Sequence, residues 1–310
     1  MKKPIIIILF LSISLLASSQ NNKIVDSLVL SYPKSFSSSE KLAEKISNDF
    51  SNEYEKVRAV YVWITNNISY DFNEKGVLNY EYSTKNERVK KETKHNKKLA
   101  KRVISKGKAV CEGYSVLFNC ICENLNIDSK IVLGNAKADI NDIGNRYHSN
   151  HAWNIVVIND ENYLIDTTWG AGFYQSRFVK QFDDFYFQTD PELFIKTHYP
   201  DDFKDSLLNK KIEKEDFLNS PMFYDYKYEL VNPIDGIIEI PENRIIEFEF
   251  ASKDGVVSVS CNINDKHFID PEFTDENNKV KFELDLSDFP RAKELVIHFN
   301  FEPTIGFKLK

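Results

Sequence analysis

Three stretches of the sequence decide the fold: CEGYSVLFNCICENL over residues 111–125, HAWNIVVI over 151–158 and YLIDTTW over 163–169. In the first stretch, apolar residues recur at helical spacings, which predicts a buried helix that begins at or near Cys111. The other two are short apolar runs joined by the turn-forming residues 159–162, which predicts a β-hairpin. A helix followed by an antiparallel hairpin indicates an α+β fold.

The length and composition indicate a folded chain with about two domains. The sequence has 310 residues, of which 42% are apolar and 28% charged. These fractions exclude intrinsic disorder and collagen-like repeats. The net charge of −7 argues against nucleic acid as a partner of the molecule as a whole.

The first nineteen residues are predicted to be a secretory signal peptide. Two lysines precede an apolar run over residues 5–16, and the small residues 17–19 follow it. An uncleaved amphipathic anchor is the alternative. Since no later run reaches 18 apolar residues, we expect no transmembrane segment in the mature chain, which would be periplasmic or extracellular.

Between these stretches lie two amphipathic helices and a basic segment. Helical periodicity covers residues 39–68, with possible caps at Ser51 and Asn52. Residues 85–108 contain eleven Lys or Arg against two Glu. We interpret this segment as a solvated helix or an insertion, and the docking of an acidic partner is the alternative. No aromatic residue is interleaved for stacking on bases, which disfavours nucleic acid.

The C-terminal part is predicted to be an antiparallel β-sandwich. Runs over 245–250, 256–263, 280–286 and 294–301 alternate apolar and polar residues, with turn residues between them. The predicted domains are therefore a catalytic domain over 20–225 and an accessory domain over 226–310.

Three polar residues at the edges of apolar elements carry the predicted chemistry: Cys111 opens a helix, His151 opens a strand, and Asp166 lies near the end of the partner strand. The positive end of a helix stabilises a thiolate, which is the nucleophilic form of cysteine. An imidazole can take and return the proton, and a carboxylate can hold the ring in the useful tautomer. Cys120, Cys122 and Cys261 are interpreted as buried core thiols rather than a disulfide framework.

The hairpin register limits this hypothesis. If Ile158 pairs with Tyr163, His151 and Asp166 share a face of the hairpin. The same pairing places Asp166 opposite Ile155, about 13 Å along the strand from His151. Twist, a bulge or a different register is then needed to bring the two side chains together.

Four segments resemble the motifs of the transglutaminase-like superfamily, whose core is papain-like. They are AVYVWITNNISYD (59–71), GKAVCEGYSVLF (107–118), NHAWNIVVI (150–158) and YLIDTTWG (163–170). DPELFIKTHYPDD (190–202) and DFLNSP (216–221) are similar to segments of the kyphoscoliosis-peptidase-like subgroup. The motif core covers about 55–170, and the resemblance matches Cys111 to the nucleophile, His151 to the base and Asp166 to the third residue.

The resemblance implies a cysteine peptidase, amidase or transamidase that attacks a protein or peptide amide through a thioester. Because no Asp-rich loop with EF-hand spacing occurs in the sequence, we expect no metal and no cofactor. A catalytically silent binding protein of the cell envelope is the alternative. Trp153 and Trp169 are candidates for the wall of the substrate cleft, and Tyr70 is a candidate for an oxyanion donor. A zinc site formed by Cys111, His148 and His151 is a further, less favoured possibility.

Overall fold

The computed structural model describes residues 22–74, 85–253 and 255–310, and for residues 85–89 it describes only the helical backbone. The predicted signal peptide lies outside the described residues. In the described ranges, no helix combines the length and the apolar character that crossing a bilayer requires.

The elements alternate helices with short, mostly antiparallel strands. The helices are α1 (22–30), α2 (Ser39–Asp49), α3 (Glu53–Asn67), α4 (Lys85–Lys106), α5 (Cys111–Asn124), α6 (Pro191–Phe194) and α7 (Lys214–Asn219). The strands up to residue 200 are β1 (Ser69–Tyr70), β2 (Lys108–Ala109), β3 (Ser129–Ala136), β4 (His151–Ile158), β5 (Glu161–Ile165), β6 (Gly172–Gln175), β7 (Arg177–Lys180), β8 (Phe187–Thr189) and β9 (His198–Pro200). The later strands are β10 (Met222–Phe223), β11 (Tyr228–Asn232), β12 (Ile237–Ile238), β13 (Ile245–Ser252), β14 (Val259–Ile263), β15 (His267–Ile269), β16 (Phe273–Glu276), β17 (Lys279–Asp285), β18 (Glu294–Phe299) and β19 (Glu302–Leu309). The predicted mixed helix and sheet class is confirmed.

Side-chain caps fix where the first helices begin. Ser38 accepts a hydrogen bond from the backbone N–H of Lys41 at the start of α2, and Asn52 accepts one from Glu55 at the start of α3. The cap predicted at Asn52 is therefore present. The helix predicted to begin at or near Cys111 begins at that residue.

The chain divides into two compact units. The first comprises the described residues up to Leu133 together with His151–Thr189, and the second comprises Gly134–Asn150 and Asp190–Lys310. These limits do not coincide with the division predicted at residue 225, and the predicted domain bounds stay predictions.

In the first unit, α5 lies at the centre. Helices α2, α3 and α4 pack on it, and β4 covers another of its sides. Side chains along α5 from Glu112 to Cys122 are buried, and strands β8, β5, β4 and β3 lie in that order in a sheet. Two strand pairs complete the unit: β1 with β2 in parallel, and β6 with β7 in antiparallel order. A helix enclosed on several sides is a rigid support for the residue at its first position.

The β4–β5 hairpin has a different register from the predicted one. Ile158 pairs with Glu161, not with Tyr163, because the loop has only two residues, Asn159 and Asp160. Both have positive φ values of 51° and 65°, as the two-residue hairpin loop with the matching twist requires. The pairing moves by two residues, so the faces predicted for His151 and Asp166 are kept while the distance along the strand shrinks.

The second unit contains a β-sandwich. One sheet has the order β10, β19, β18, β14 and β15, with β12 also beside β19, and the other has the order β11, β13, β17 and β16. Alternate residues of both sheets form one core, in which Phe248 packs on Phe282 and Phe307. The predicted antiparallel sandwich is therefore present.

Candidate active site

Cys111 occupies the first position of α5. Its side chain is partly exposed, whereas those of the following turns are buried. Val110 precedes it as the N-cap and contributes no side-chain hydrogen bond. Gly113 allows the helix to begin here, because a Cβ at this position would lie 2.6 Å from the Ala109 Cβ and 3.0 Å from the Val103 Cγ2. The sequence thus places a thiol at the positive end of a firmly packed helix.

His151 and Asp166 meet inside the first unit. The His151 Nε2 lies 2.7 Å from the Asp166 Oδ2, and both side chains are buried. In the observed register, Asp166 follows Ile165, the last residue of β5 to pair with β4, so it stands about two residues from His151 along the hairpin rather than four. The register shift is the physical reason why the two side chains reach each other.

The carboxylate of Asp166 is held by the turn that follows it. Its Oδ1 accepts hydrogen bonds from the backbone N–H of Thr168 at 2.7 Å and of Trp169 at 3.1 Å. Its own backbone N–H donates to the carbonyl of Tyr186, and its carbonyl accepts from Gly170. With both oxygens occupied, the carboxylate has one orientation toward the imidazole.

Gly170 fits closely against the ring of Tyr61. A Cβ at this position would overlap the Tyr61 hydroxyl and lie 2.7 Å from its Cζ. That hydroxyl donates to the carbonyl of Asp183, and the Tyr61 ring is fully buried. The turn that carries Asp166 therefore packs directly against the ring of Tyr61, which its hydrogen bond holds in place.

The pKa of His151 is raised, although two opposing effects act on it. Burial alone lowers the pKa of an imidazole, but the charge of Asp166 and its hydrogen bond outweigh burial. A side-chain hydrogen bond with Cys111, and the negative charge that its sulfur carries when ionised, raise the His151 pKa further. The imidazole is therefore influenced by both residues that the sequence matched to it, and the catalytic roles of the three residues stay predictions.

The other three cysteines differ from Cys111 in their surroundings. Burial raises the pKa of Cys120 to about 12, and it also raises the pKa values of Cys122 and Cys261. All three side chains are buried, and none forms a disulfide. Cys111 is therefore the cysteine with access to solvent.

The two candidate tryptophans flank His151 but differ in exposure. The Trp153 ring centroid lies 6.1 Å from that of His151, and the side chain is 1% exposed. Trp169 lies 5.8 Å from His151 and is partly exposed. Both shield the imidazole, and their role in substrate binding stays a prediction.

A row of aromatic rings leads outward from Tyr70. Burial, followed by the charges of Cys111, Asp166 and Glu74, raises the pKa of Tyr70 to about 12. Its ring lies 4.8 Å from that of Phe72, which lies 4.9 Å from that of Tyr174. Phe72 and Tyr174 are 53% and 66% exposed. Phe72 and Tyr174 are not among the site residues predicted from the sequence, where the density of aromatic residues in 70–72 and 173–178 is the signal that could have indicated them.

His148 is not in the buried environment that a residue binding a structural zinc ion would have. It lies exposed in the second unit, with its ring Nδ1 3.3 Å from the carbonyl of Arg146. Its carbonyl accepts a hydrogen bond from Asn135. These contacts are those of a loop residue, which agrees with the preference for His151.

The part of the chain that contains Cys111, His151 and Asp166 is similar to a known protein family. Residues 40–167 match the model of the transglutaminase-like superfamily, and this range includes Cys111, His151 and Asp166. The resemblance seen in the sequence is therefore confirmed over that range.

Two curated relatives are proteins named kyphoscoliosis peptidase. The one from Mus musculus is 30% identical over 173 residues, which is 54% of this chain and 24% of that protein. The one from Homo sapiens is 29% identical over 185 residues, which is 55% of this chain and 26% of that protein. The matched segment thus spans about a quarter of the length of these relatives.

Two solved structures are similar over less than half of the chain. A candidate cysteine protease from Cytophaga hutchinsonii is 22% identical, with a TM-score of 0.30, over 44% of this chain and 40% of that chain. A protein described as a TGase is 21% identical, with a TM-score of 0.29, over 47% of this chain and 35% of that chain.

Proposed function

We propose that this chain, which carries a transglutaminase-like domain over residues 40–167, is a cysteine-dependent enzyme that acts on amide bonds of proteins or peptides. Cys111 is the nucleophile, His151 transfers the proton, and Asp166 orients the imidazole. The observation that carries the proposal is the buried contact of 2.7 Å between His151 and Asp166, on a ring that also hydrogen-bonds to Cys111.

The hydrogen bonds of His151 assign its tautomer. Since the Nε2 faces the carboxylate of Asp166, this nitrogen carries the proton in the neutral ring. The other nitrogen, Nδ1, then accepts the proton of the Cys111 thiol. Asp166 remains ionised and stabilises the imidazolium that forms.

The reaction has two halves. The Cys111 thiolate attacks the carbonyl carbon of the amide, and the imidazolium donates its proton to the departing amine, which leaves an acyl thioester on the sulfur. Water then attacks the thioester, His151 takes a proton from the water, and the carboxylic acid and free thiol are released. An amine in place of water gives a new amide, which is transamidation.

We infer that hydrolysis is the favoured outcome, because the named relatives are peptidases. The rings beside the site also support a polypeptide substrate, since Phe72 and Tyr174 offer exposed apolar surface near Tyr70. Export through residues 1–19 belongs to the same proposal. Mass spectrometry of the N-terminal peptide, on protein recovered from the cytoplasm and from outside it, would show whether residues 1–19 have been removed.

The decisive experiment measures the rate at which iodoacetamide labels each cysteine, by intact-mass spectrometry between pH 5 and pH 9. We expect Cys111 to be labelled first and fast near pH 6, and His151→Ala to slow that labelling. His148→Ala, an exposed histidine, is the matched control and should leave the rate unchanged. If Cys111 reacts no faster than glutathione in both proteins, the site is not activated, and a binding protein without turnover becomes the better account.

Turnover is then measured with dimethylated casein and dansylcadaverine, against Cys111→Ala as the inactive control. New chain termini in casein identify a peptidase. Conversion of glutamine to glutamate, a mass gain of about 1 Da, identifies an amidase, and covalent attachment of dansylcadaverine identifies a transamidase. The products must depend on Cys111.

A further inference from the structure

The outer face of α4 carries a row of five exposed lysines: Lys90, Lys94, Lys97, Lys98 and Lys101. At 3.6 residues per turn, these side chains fall within an arc of about 100° of the helix surface. With a rise of about 1.5 Å per residue, the row is about 17 Å long. We call these five residues the lysine stripe.

No ion-pair partner of the lysine stripe is found among the described side chains. In the described part of the chain, none of its five ammonium groups takes part in an ion pair, and Lys97 acts on Glu40 of α2 only at longer range. Glu87 and Glu92 are the two acidic residues in the sequence of α4, against ten Lys or Arg. Because the whole chain has a net charge of −7, the stripe is a local feature and not a sign of overall charge.

The opposite face of α4 anchors the helix. Leu99 and Val103 are buried on this face, and both lie within 4 Å of the position that a Cβ on Gly113 of α5 would take. Ala100 and Ile104 are also buried, on a side of α4 that borders the lysine stripe. The close approach at Gly113, where a Cβ would lie 3.0 Å from the Val103 Cγ2, fixes the two helices against each other. The lysines therefore project from a rigid support and keep their spacing.

α4 also borders the residues around the thiol. The His95 Nε2 lies 3.6 Å from the Glu112 Oε1, and Glu112 directly follows Cys111. Arg102 pairs with Glu74, whose charge acts on Tyr70 together with that of Cys111. A chain held along the lysine stripe would thus lie on a helix that contacts the surroundings of the nucleophile.

The chemistry of the stripe favours carboxylates over nucleic acid. The exposed face of α4 has no aromatic side chain on which a base could stack. Among the described side chains of α4 there is one arginine, Arg102. It forms an ion pair with Glu74, so it is not free to bind a phosphate group through two hydrogen bonds. Lysines on flexible stems attract an extended acidic polypeptide without fixing its geometry.

We propose that the lysine stripe of α4 binds an acidic segment of the polypeptide on which the Cys111 site acts. This inference rests on the proposed function for the identity of the partner, but the binding itself does not need turnover. Substrates with a run of Asp or Glu beside the reacting amide would be favoured, because the local charge raises their concentration at the site.

The test measures binding with Cys111→Ala protein, so that no reaction occurs. A fluorescein-labelled 20-residue peptide rich in Glu is titrated at 50, 100 and 200 mM NaCl, and fluorescence anisotropy reports the affinity. We expect the affinity to fall about tenfold over this salt range, since screening shortens the reach of the lysines. A peptide with Gln in place of Glu should bind at least about tenfold more weakly at 50 mM NaCl.

Two triple variants of matched charge decide whether the stripe is responsible. Lys94→Gln, Lys98→Gln and Lys101→Gln together should weaken binding about tenfold. Lys266→Gln, Lys293→Gln and Lys310→Gln, which change three exposed lysines of the second unit, should leave the affinity within about twofold. Circular dichroism checks that both proteins are folded.

Three results would overturn the proposal. They are the absence of binding to the acidic peptide, equal binding by the stripe variant and the control variant, and tighter stripe-dependent binding to single-stranded DNA or phosphatidylserine vesicles than to the peptide. A positive result with a protein that shows no activated Cys111 would support the surface and contradict the enzyme, so the two proposals fail separately.

Discussion

The Asp166 Oδ2 lies 2.7 Å from the His151 Nε2, and the other oxygen of the same carboxylate accepts two backbone N–H groups of the turn that follows. The carboxylate thus ties the loop after β5 to the first residue of β4. This contact sets the protonation of the imidazole as well as its orientation, because the charge of Asp166 counteracts the effect of burial on the ring.

In a Cys111→Ala background, where the thiol no longer raises the pKa, Asp166→Asn should reverse the direction of the His151 pKa shift. The amide keeps an oxygen for the N–H groups of Thr168 and Trp169 but removes the charge, so burial alone would lower the pKa below the ordinary value of 6.5. The ring Hε1 resonance, followed by NMR from pH 4 to pH 10, measures this change. A His151 pKa that stays raised in the variant would contradict the assignment of Asp166.

The same pair predicts how stability depends on pH. In the native protein, His151 binds its proton more tightly when folded, so its contribution is complete below pH 6.5 and is lost as the pH rises above that value. In the Cys111→Ala, Asp166→Asn protein, the contribution of His151 should change sign and make the free energy of unfolding rise with pH near 6. Urea unfolding at several pH values gives both slopes, and His148→Gln should reproduce the native slope.

Gly170→Ala should destabilise the first unit and impair the site together. The new methyl group overlaps the buried ring of Tyr61, and relief requires the turn that holds Asp166 to move. Overpacking of this kind costs about 1–3 kcal/mol. Urea unfolding and the rate of Cys111 alkylation are the two measurements.

A double substitution separates this clash from a general loss of structure. Tyr61→Phe removes the hydroxyl that the new methyl group would overlap, so Gly170→Ala should cost less stability in that background than in the native protein. Equal costs in both backgrounds would show that the Tyr61 hydroxyl is not the obstacle.

Lys137→Met should destabilise the second unit, because it removes a buried donor with several acceptors. The Nζ hydrogen-bonds to the carbonyls of Phe217, Ser220 and Pro221 and to the Ser220 hydroxyl, and the side chain is fully buried. Leaving these oxygens without a donor costs about 1–3 kcal/mol. Lys204→Met, on an exposed lysine of the same unit, is the control for urea unfolding and should be near neutral.

The pH dependence offers a second check on Lys137. Burial lowers its pKa to about 7, against a weaker opposing effect of Asp142. The unfolded chain then binds more protons than the folded one between pH 7 and pH 10.5, so the contribution of Lys137 to stability should rise with pH over that range. In Lys137→Met, this part of the slope should be absent.

Cys122→Ser and Cys111→Ser should differ in their cost. Cys122 is fully buried, and a hydroxyl in its place costs about 1–2 kcal/mol through the burial of a polar group. Cys111 is partly exposed at a helix end, where serine is tolerated, so its substitution should change stability by less than about 0.5 kcal/mol. A large loss in Cys111→Ser would indicate a structural thiol.

The elements around the site could be predicted from the sequence because each carries a local signal. The helix at Cys111 has helical periodicity, and the sandwich strands alternate strictly between apolar and polar residues. The sharing of one face by His151 and Asp166 was also predictable, since a shift of two residues leaves the faces unchanged.

The register itself was not predictable from the pattern. Residues 159–162 all favour turns, and the choice of a two-residue loop depends on positive φ at Asn159 and Asp160, which Asn and Asp tolerate but do not impose. The contact of Gly170 with Tyr61 joins positions 109 residues apart, and no local pattern reports it. The helix of the basic segment was among the predicted outcomes, but its position beside α5 follows from tertiary packing.

The isolation of Cys111 also determines how the protein would respond to oxidants. Cys120 and Cys122 follow it on the same helix at distances of about 14 and 17 Å along the axis, beyond the reach of a disulfide, and Cys261 is buried in the core of the sandwich. A sulfenic acid on Cys111 would therefore find no resolving thiol in its own chain. Its recovery would depend on a small thiol or a reductase from outside, so the activity would follow the redox state of the surroundings.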